Sequence, residues 1–194
     1  MSNEYLGPIK FLVVDDNHFM RSIVLRVLYT LGAGEIMEAE NGDDAINVMA
    51  DYRPDIAIVD WEMQPTDGIE YVKWLRNDPS SPNPFLPVIM LTAYAEIKNI
   101  RIARDAGVNE FVVKPMAAKV MWSRIRATIE KPRRFVRTKS YFGPDRRRQD
   151  VNPGHEDRRG KKTAAVQSAA MSDAPMSQDA INAFFNPDQA PKED

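Results

Sequence analysis

The sequence predicts an α/β fold in which a five-stranded parallel sheet carries helices on both faces. A continuous apolar run, Phe11 to Val14, is typical of a strand buried on both sides. Runs of this kind alternate five times with segments whose apolar residues recur every three or four positions, the period of a helix. Strict alternation with short loops indicates a doubly wound sheet, and right-handed crossovers favour the strand order 2-1-3-4-5.

The five predicted strands are short and mostly apolar, and polar or turn-forming residues bound each of them. They cover residues 10–14, 35–39, 55–60, 88–91 and 110–113. Helices are predicted at about 20–31, 45–52, 67–76, 96–106 and 117–130. Gly32, Gly107 and Pro132 end three of these helices, since glycine and proline stop a helix. Four prolines between positions 77 and 87 predict a loop.

Composition bounds the class of protein. Hydrophobic residues make up 43% of the 194 positions, which is enough for one core, and there is no cysteine for a disulfide or a thiolate metal site. No stretch approaches the roughly 18 apolar residues that a membrane span needs. The first ten residues lack the basic and apolar regions of a signal peptide. We therefore expect a cytoplasmic protein without a membrane span.

The charge is distributed in three blocks. Residues 1–130 carry a net charge of −6, residues 131–162 of +8 and residues 163–194 of −4. This asymmetry predicts an acidic folded domain at 8–131, an arginine-rich aromatic linker at 132–162 and a largely disordered tail at 163–194.

Chemistry-bearing residues follow four of the predicted strands. Asp15 and Asp16 follow the first, Asp60 ends the third, Thr92 follows the fourth and Lys114 follows the fifth. Each residue alone would be an ordinary helix cap or surface residue, but the carboxyl ends of parallel strands meet at one edge, where ligands bind. Adjacent carboxylates repel each other unless a cation is present, and Mg²⁺ binds through one or two carboxylates and several waters.

Three acids, a hydroxyl and an ammonium at one edge fit phosphoryl transfer. Carboxylates accept phosphoryl groups covalently, and the reaction needs cations and donors placed around the phosphate oxygens. Asp60 stands alone on its strand end, whereas Asp15 and Asp16 are paired. Asp60 is therefore the better candidate for the nucleophile.

Residues 9–130 closely resemble the receiver domain of two-component response regulators, especially the stand-alone chemotaxis type. The segments FLVVDD, IVDWEMQPTDG, MLTAY and FVVKP carry the resemblance. It implies a flavodoxin-like fold and phosphorylation of Asp60 by a histidine kinase. Mg²⁺ would be held by Asp15 or Asp16, by Asp60 and by the backbone carbonyl of Glu62. Lys114 would pair with the phosphate, ahead of a cis bond to Pro115.

The resemblance also implies that a phosphate on Asp60 would draw Thr92 toward it and that the ring of Phe111 would then turn inward. The sequence departs from the family pattern at four places: Pro65 comes one residue late, Glu62 is acidic, Tyr94 lies on the path of the attacking water, and Phe111 lacks a tyrosine hydroxyl. We expect the loop geometry to survive, the rate of dephosphorylation to differ, and the switch at Phe111 to rest on packing alone.

The basic segment has two readings. It is either a solvated linker or an anion-binding segment, because arginine binds phosphates and its neighbouring aromatic residues can stack on bases. Some stand-alone receivers carry arginine-rich extensions that bind cyclic di-GMP, which this segment is similar to in composition. No helix-turn-helix or zinc pattern is present, so sequence-specific DNA binding is not expected. The candidate anion-binding residues are Arg133, Arg134, Arg137, Arg146, Arg147 and Arg148.

A short amphipathic helix is predicted at about 177–186 in the tail. Ser177 can cap it, and Ile181, Phe184 and Phe185 form an apolar stripe at helical spacing. Such helices bind in grooves of partner proteins. The stretch also resembles the N-terminal peptide of the flagellar motor switch protein, which docks on chemotaxis receivers. It could bind its own receiver or another molecule.

The favoured hypothesis is a non-enzymatic response regulator of a phosphorelay. Phosphorylation would switch the surface formed by strand 4, helix 4, strand 5 and helix 5, to which a protein partner then binds. The resemblance suggests chemotaxis as the pathway. Two alternatives are a relay intermediate that passes phosphate to a histidine phosphotransfer protein and a receiver that gates nucleotide or RNA binding by the arginine-rich segment. A haloacid-dehalogenase-like hydrolase is disfavoured because it expects an aspartate where Glu62 stands.

Overall fold

The structure, a computed structural model, describes residues 5–93, 95–146 and 175–185, with the side chains of the last range up to Ile181. The first two ranges contain a parallel sheet covered by helices and a small hairpin that follows it. The third contains one helix. Within these ranges, every helix is too short or too polar to pass through a bilayer.

Five parallel strands form the sheet in the order β2-β1-β3-β4-β5, which confirms the predicted topology. Their burial explains the apolar runs in the sequence, because β1, β3 and β4 lie in the interior of the sheet and helices cover both of its faces. The strands are β1 (Lys10–Val14), β2 (Glu35–Ala39), β3 (Ile56–Asp60), β4 (Val88–Thr92) and β5 (Glu110–Val113).

Helices connect successive strands, as the alternating pattern predicted. They are α1 (His18–Thr30), α2 (Gly42–Asp51), α3 (Gly68–Asn77), α4 (Ile97–Ala106) and α5 (Ala118–Glu130). The side chain of Asn17 accepts hydrogen bonds from the first turn of α1, and Asp67 and Glu70 form a capping box at the start of α3. Gly107 ends α4 in the left-handed conformation, with φ of 103°.

Two apolar layers enclose the sheet. Alternate residues of each strand point to opposite faces, so that Leu12 and Val14 join the layer under α2 and α3, while Phe11 and Val13 join the layer under α1 and α5. Both layers are almost fully buried. This double coverage holds the carboxyl ends of the strands in fixed positions.

A hairpin follows α5, within the segment that the sequence analysis assigned to a linker. Strands β6 (Phe135–Arg137) and β7 (Phe142–Pro144) pair antiparallel. The rings of Phe135 and Phe142 each lie 5.2 Å from the ring of Phe85, in the loop before β4. The described part of the linker segment is therefore folded and packed against the first 131 residues. Its apolar contacts are long-range, and charge composition alone does not show them.

A last helix, α6 (Gln178–Phe185), lies within one residue of the helix predicted at about 177–186. The hydroxyl of Ser177 accepts a hydrogen bond from the backbone N–H of Ala180 at 3.2 Å, as expected of a capping residue. The predicted disorder of the tail concerns mainly residues that lie outside the described ranges.

Candidate functional site

Four strand ends bring the predicted residues to one edge of the sheet. Asp15 and Asp16 follow β1, Asp60 ends β3, Thr92 ends β4 and Lys114 follows β5. Because β1 and β3 are neighbours in the sheet, Asp15 and Asp60 approach each other across adjacent strands. The sequence predicted this convergence from the positions of the strand ends.

Lys114 joins the two buried carboxylates. Its Nζ atom lies 3.1 Å from Oδ2 of Asp15 and 2.9 Å from Oδ1 of Asp60. The side chains are 0% exposed for Asp15, 9% for Asp60 and 14% for Lys114, so solvent screens these charges weakly. One ammonium thus lies between two buried aspartates, and the cluster has an excess of negative charge.

The hydrogen bonds of Asp60 are unequally divided between its oxygens. Oδ1 accepts a hydrogen bond from the backbone N–H of Trp61 at 2.8 Å and pairs with Lys114. Among the described residues, Oδ2 receives no hydrogen bond. One carboxylate oxygen is therefore held in place while the other is available for a new bond.

Burial raises the pKa of Asp60 to about 6. The hydrogen bond and the charge of Lys114 lower this pKa, and the charge of Asp15 raises it, but the loss of solvation dominates. Burial also opposes the charge of Lys114, yet its two carboxylate partners outweigh that effect and raise its pKa. A second cation near these carboxylates would favour the ionised form of Asp60.

Three acids form a group that could hold a metal ion. Ligand oxygens of Asp15, Asp16 and Asp60 all lie within 4.8 Å of one another. Asp16 is exposed while the other two are buried, so an ion here would keep an open side for water, as Mg²⁺ requires. All the donors are oxygens, which also fits Mg²⁺. An open cleft lined by Asp16, Trp61 and Glu62 adjoins this group.

Thr92 and Phe111, the predicted switch residues, are both buried. Each is 1% exposed. The ring of Phe111 makes an edge-on contact with the ring of Trp61, with 6.3 Å between ring centroids. The structure therefore holds Phe111 in an inward position, next to the residue that follows Asp60. Tyr94 lies outside the described residues.

Two supporting residues were missed by the sequence analysis. The side chain of Arg21, on α1, donates a hydrogen bond to the backbone carbonyl of Asp15 at 2.6 Å and is 6% exposed. The backbone N–H of Asn17 donates to Oδ1 of Asp15 at 2.9 Å. Arg21 stands among the apolar residues of α1, and its charge in that stretch was the available signal.

The loop between β3 and α3 contains a further feature that was not predicted. The peptide bond between Gln64 and Pro65 is cis. The bond between Lys114 and Pro115 is cis as well, in agreement with the expectation from the resemblance. Glu62 lies in the same loop, on the cleft beside Asp16, and its role as a carbonyl ligand of an ion remains a prediction.

Two of the candidate anion-binding arginines lie on aromatic rings of the hairpin. Arg137 stacks on the ring of Phe142 at 4.2 Å, and Arg146 stacks on the ring of Tyr141 at 3.9 Å. Arg133 is half-buried and Arg134 is exposed. Arg147 and Arg148 lie outside the described residues. Anion binding by this segment remains a prediction.

Of the predicted partner-binding residues in the tail, Ile181 is 1% exposed and belongs to the apolar layer that contains Phe111. It is therefore covered within the same chain. The side chains of Phe184 and Phe185 lie outside the described part of α6. Gln178, which the sequence analysis did not single out, hydrogen-bonds to β5.

Comparison with known proteins gives consistent matches over this region. Residues 11–126 match the family model of the response regulator receiver domain. The chain is 36% identical to the chemotaxis protein CheY of Pseudomonas aeruginosa over 122 residues, which are 63% of this chain and 97% of that protein. It is 35% identical to CheY-3 of Vibrio cholerae, also over 122 residues, covering 63% and 92% of the two chains.

Solved structures share the fold. The structure of CheY4 from Vibrio cholerae matches with a TM-score of 0.56 and 27% identity, over 61% of this chain and 96% of that one. The matched region contains the five-stranded sheet and the carboxylates at its edge. The relatives account for about two-thirds of the chain.

Proposed function

Because the chain belongs to the response regulator receiver family, we propose that it accepts a phosphoryl group on Asp60 from a histidine kinase or a histidine phosphotransfer protein. The observation that carries this proposal is the asymmetry of the Asp60 carboxylate. Lys114 and the Trp61 amide fix one oxygen, while the other has no hydrogen bond among the described residues. A nucleophile held in this way loses little orientational freedom when it reacts.

The proposed step forms a bond between Oδ2 of Asp60 and phosphorus as the phosphorus–nitrogen bond of a phosphohistidine breaks, and the imidazole leaves with the electron pair. Lys114 already contacts Asp60 at 2.9 Å and is placed to pair with a phosphate oxygen. The hydroxyl of Thr92 is the donor assigned to another oxygen. Mg²⁺, held by Asp15, Asp16, Asp60 and the backbone carbonyl of Glu62, would neutralise developing negative charge.

The output is proposed to be non-enzymatic. A phosphoryl group adds about −1.5 to −2 charges at neutral pH, next to Thr92 at the end of β4. Movement of Thr92 toward it would stabilise Phe111 in the inward position that the structure already has, and so shift the population of conformations of the surface formed by β4, α4, β5 and α5. A downstream protein that binds this altered surface would read the signal. The curated relatives are chemotaxis proteins, which supports a role in motility.

The experiment that tests this function is phosphorylation by labelled acetyl phosphate with Mg²⁺, followed by mapping of the label. The expected result is one labelled site in the unmodified chain, no label in Asp60→Asn, and label retained in the control Asp51→Asn, which changes an exposed aspartate of α2. Label that persists in Asp60→Asn would overturn the assignment. Transfer of the label back to a histidine phosphotransfer protein would identify the relay role instead of a terminal output.

A further inference from the structure

Residues 175–181 lie against the free edge of the sheet. The strand order ends at β5, so one side of β5 has no strand partner in the sheet. The backbone N–H of Met176 donates a hydrogen bond to the carbonyl of Ala95, in the loop between β4 and α4, at 2.9 Å. The contact is long-range in the sequence and joins the tail to the loop that begins just after Thr92.

The side chain of Gln178 takes the place of a strand residue. Its Nε2 atom donates to the carbonyl of Phe111 at 3.2 Å, and its Oε1 atom accepts from the N–H of Val113 at 2.8 Å. A residue in a parallel ladder makes the same pair of bonds, one to a carbonyl and one to the N–H two positions later. The carboxamide thus bonds to the backbone of β5 as a neighbouring strand would.

Ile181 anchors the segment by burial. It is 1% exposed and joins the apolar layer that contains Phe111, Ile100 and Ala103, and Met176 packs against the same layer. Removing apolar surface of this size from water stabilises the docked position. Two backbone-directed hydrogen bonds and one apolar anchor are the elements of peptide recognition at a strand edge.

We propose that the edge of β5 and the loop after β4 form a peptide-binding face that residues 175–181 of the same chain occupy, so that an outside protein must displace this segment to bind there. The face lies beside both switch elements, because Ala95 follows Thr92 by three positions and Val113 directly precedes Lys114. The description of this face as the output surface rests on the proposed function; its occupation by the tail does not.

The test measures binding of a fluorescent peptide that spans residues 172–190 to three forms of the full chain. The unmodified chain binds the peptide weakly, because the tethered segment competes at high effective concentration. Ile181→Asp, which undocks the internal segment, binds the peptide at least about tenfold more tightly. The control Asp179→Asn changes an exposed residue of the same segment and behaves like the unmodified chain.

Two results would overturn the proposal. Equal affinity of the unmodified chain and Ile181→Asp would show that the tail does not occupy the face. Failure of the peptide to bind any of the chains would show that the face does not accept this sequence. The chains are studied at concentrations where they are monomeric by sedimentation, since docking of the tail on a second copy would also contradict occupation within one chain.

A second measurement is independent of phosphorylation and therefore separates failure of this proposal from failure of the proposed function. The N–H of Val113 donates a hydrogen bond to Oε1 of Gln178 at 2.8 Å, so docking of the tail should slow hydrogen exchange at this amide. Gln178→Ala should raise the exchange rate of this amide, while the amide of Val59 in β3 keeps its rate. Unchanged exchange at Val113 would contradict docking even if Asp60 accepts phosphate normally.

Discussion

At the residue scale, burial and charge act in opposite directions on the carboxylate of Asp60. It shares one ammonium with Asp15, and both carboxylates are nearly inaccessible to water. The carboxylate is therefore less stabilised than one in solvent, which raises its pKa to about 6. A divalent cation beside these carboxylates would relieve this conflict, so the metal-free site favours cation binding.

The first prediction concerns pH and stability without Mg²⁺. The pKa of Asp60 rises from an ordinary 3.8 to about 6 on folding, so the folded state binds more protons between these values. The free energy of unfolding should therefore fall as pH rises through this window, by up to about 3 kcal/mol from this group. Asp60→Asn lacks this loss, so its stability relative to the unmodified chain should increase from pH 4 to pH 7.

Urea unfolding at several pH values measures the difference in the free energy of unfolding between Asp60→Asn and the unmodified chain. Saturating Mg²⁺ should flatten it, because the ion favours the charged carboxylate. The variant Asp51→Asn, at an exposed position, serves as the control for losing an aspartate. A constant difference between Asp60→Asn and the unmodified chain across the window would contradict the assigned burial effect.

The position of Asp60 was predictable from sequence, but its surroundings were not. A lone carboxylate after an apolar strand marked the strand end, and the alternation of strands and helices placed it beside Asp15. The division of its hydrogen bonds between two oxygens depends on the approach of Lys114 from β5, which no local pattern encodes. The hydrogen bond from Arg21 to the backbone of Asp15 could not be predicted for the same reason.

At the element scale, the start of α3 is fitted tightly to the end of β3. A Cβ atom at Gly68 would collide with the backbone carbonyl oxygen of Asp60. Glycine here allows the first turn of the helix to approach the backbone of Asp60. The capping box of Asp67 and Glu70 then fixes the direction of the helix.

Gly68→Ala is the second prediction. It should lower stability by about 1–3 kcal/mol, the usual range for overpacking, and also slow phosphorylation of Asp60, because the collision displaces the strand end. Gly34→Ala is the matched control: its Cβ would lie 2.7 Å from the carbonyl of Gly7, before β2 and away from the site. Equal slowing of phosphorylation in both variants would show that general destabilisation, not displacement of Asp60, is responsible.

The hairpin is the element that composition misassigned, because its packing partners are far away in the sequence. Arg76, 1% exposed, donates hydrogen bonds to the carbonyls of Gly107 and Pro84 and lies 5.0 Å from the ring of Phe135. Burial lowers the pKa of Arg76 to about 10, so it stays charged at neutral pH. The hairpin therefore helps to cover a buried cation.

Phe142→Ala is the third prediction. Phe142 is 7% exposed and contacts the rings of Phe85 and Phe135. Full truncation of a buried phenylalanine costs about 3–5 kcal/mol, which should release the hairpin before the sheet unfolds. Hydrogen exchange should quicken at Thr138 and Asp145 but not in β1. The control Phe19→Ala removes a side chain that is 71% exposed and should change exchange in neither the hairpin nor β1. If Phe142→Ala quickened exchange in β1 as much as in the hairpin, the hairpin would unfold together with the sheet, which would contradict the prediction.

At the scale of the whole molecule, the alternation of strands and helices made the sheet order predictable. Strand burial, crossover handedness and the acidic strand ends all pointed to one topology, and the structure has it. Docking of the tail was beyond such reasoning. The amphipathic pattern around Ile181 predicted a ligand, but the choice of its own β5 as receptor depends on the Gln178 hydrogen bonds across 65 and 67 positions.

The proposed phosphorylation of Asp60 and the proposed docking of the tail concern the same part of the molecule. The tail contacts the carbonyls of Ala95 and Phe111, and phosphorylation is proposed to act through Thr92 and Phe111. Two ligands that favour one arrangement of the same element strengthen each other's binding, by thermodynamic linkage. The tail therefore contacts the same surface, from β4 to α5, that phosphorylation of Asp60 is proposed to change.

The most direct test of the account is hydrogen exchange over residues 92–122 with and without beryllofluoride and Mg²⁺, in the unmodified chain, in Asp60→Asn and in Ile181→Asp. We predict that beryllofluoride changes exchange in this range in the unmodified chain and in Ile181→Asp, but not in Asp60→Asn. The comparison with Ile181→Asp separates the switch from release of the tail. Identical exchange with and without beryllofluoride in the unmodified chain would contradict the claim that chemistry at Asp60 switches this surface.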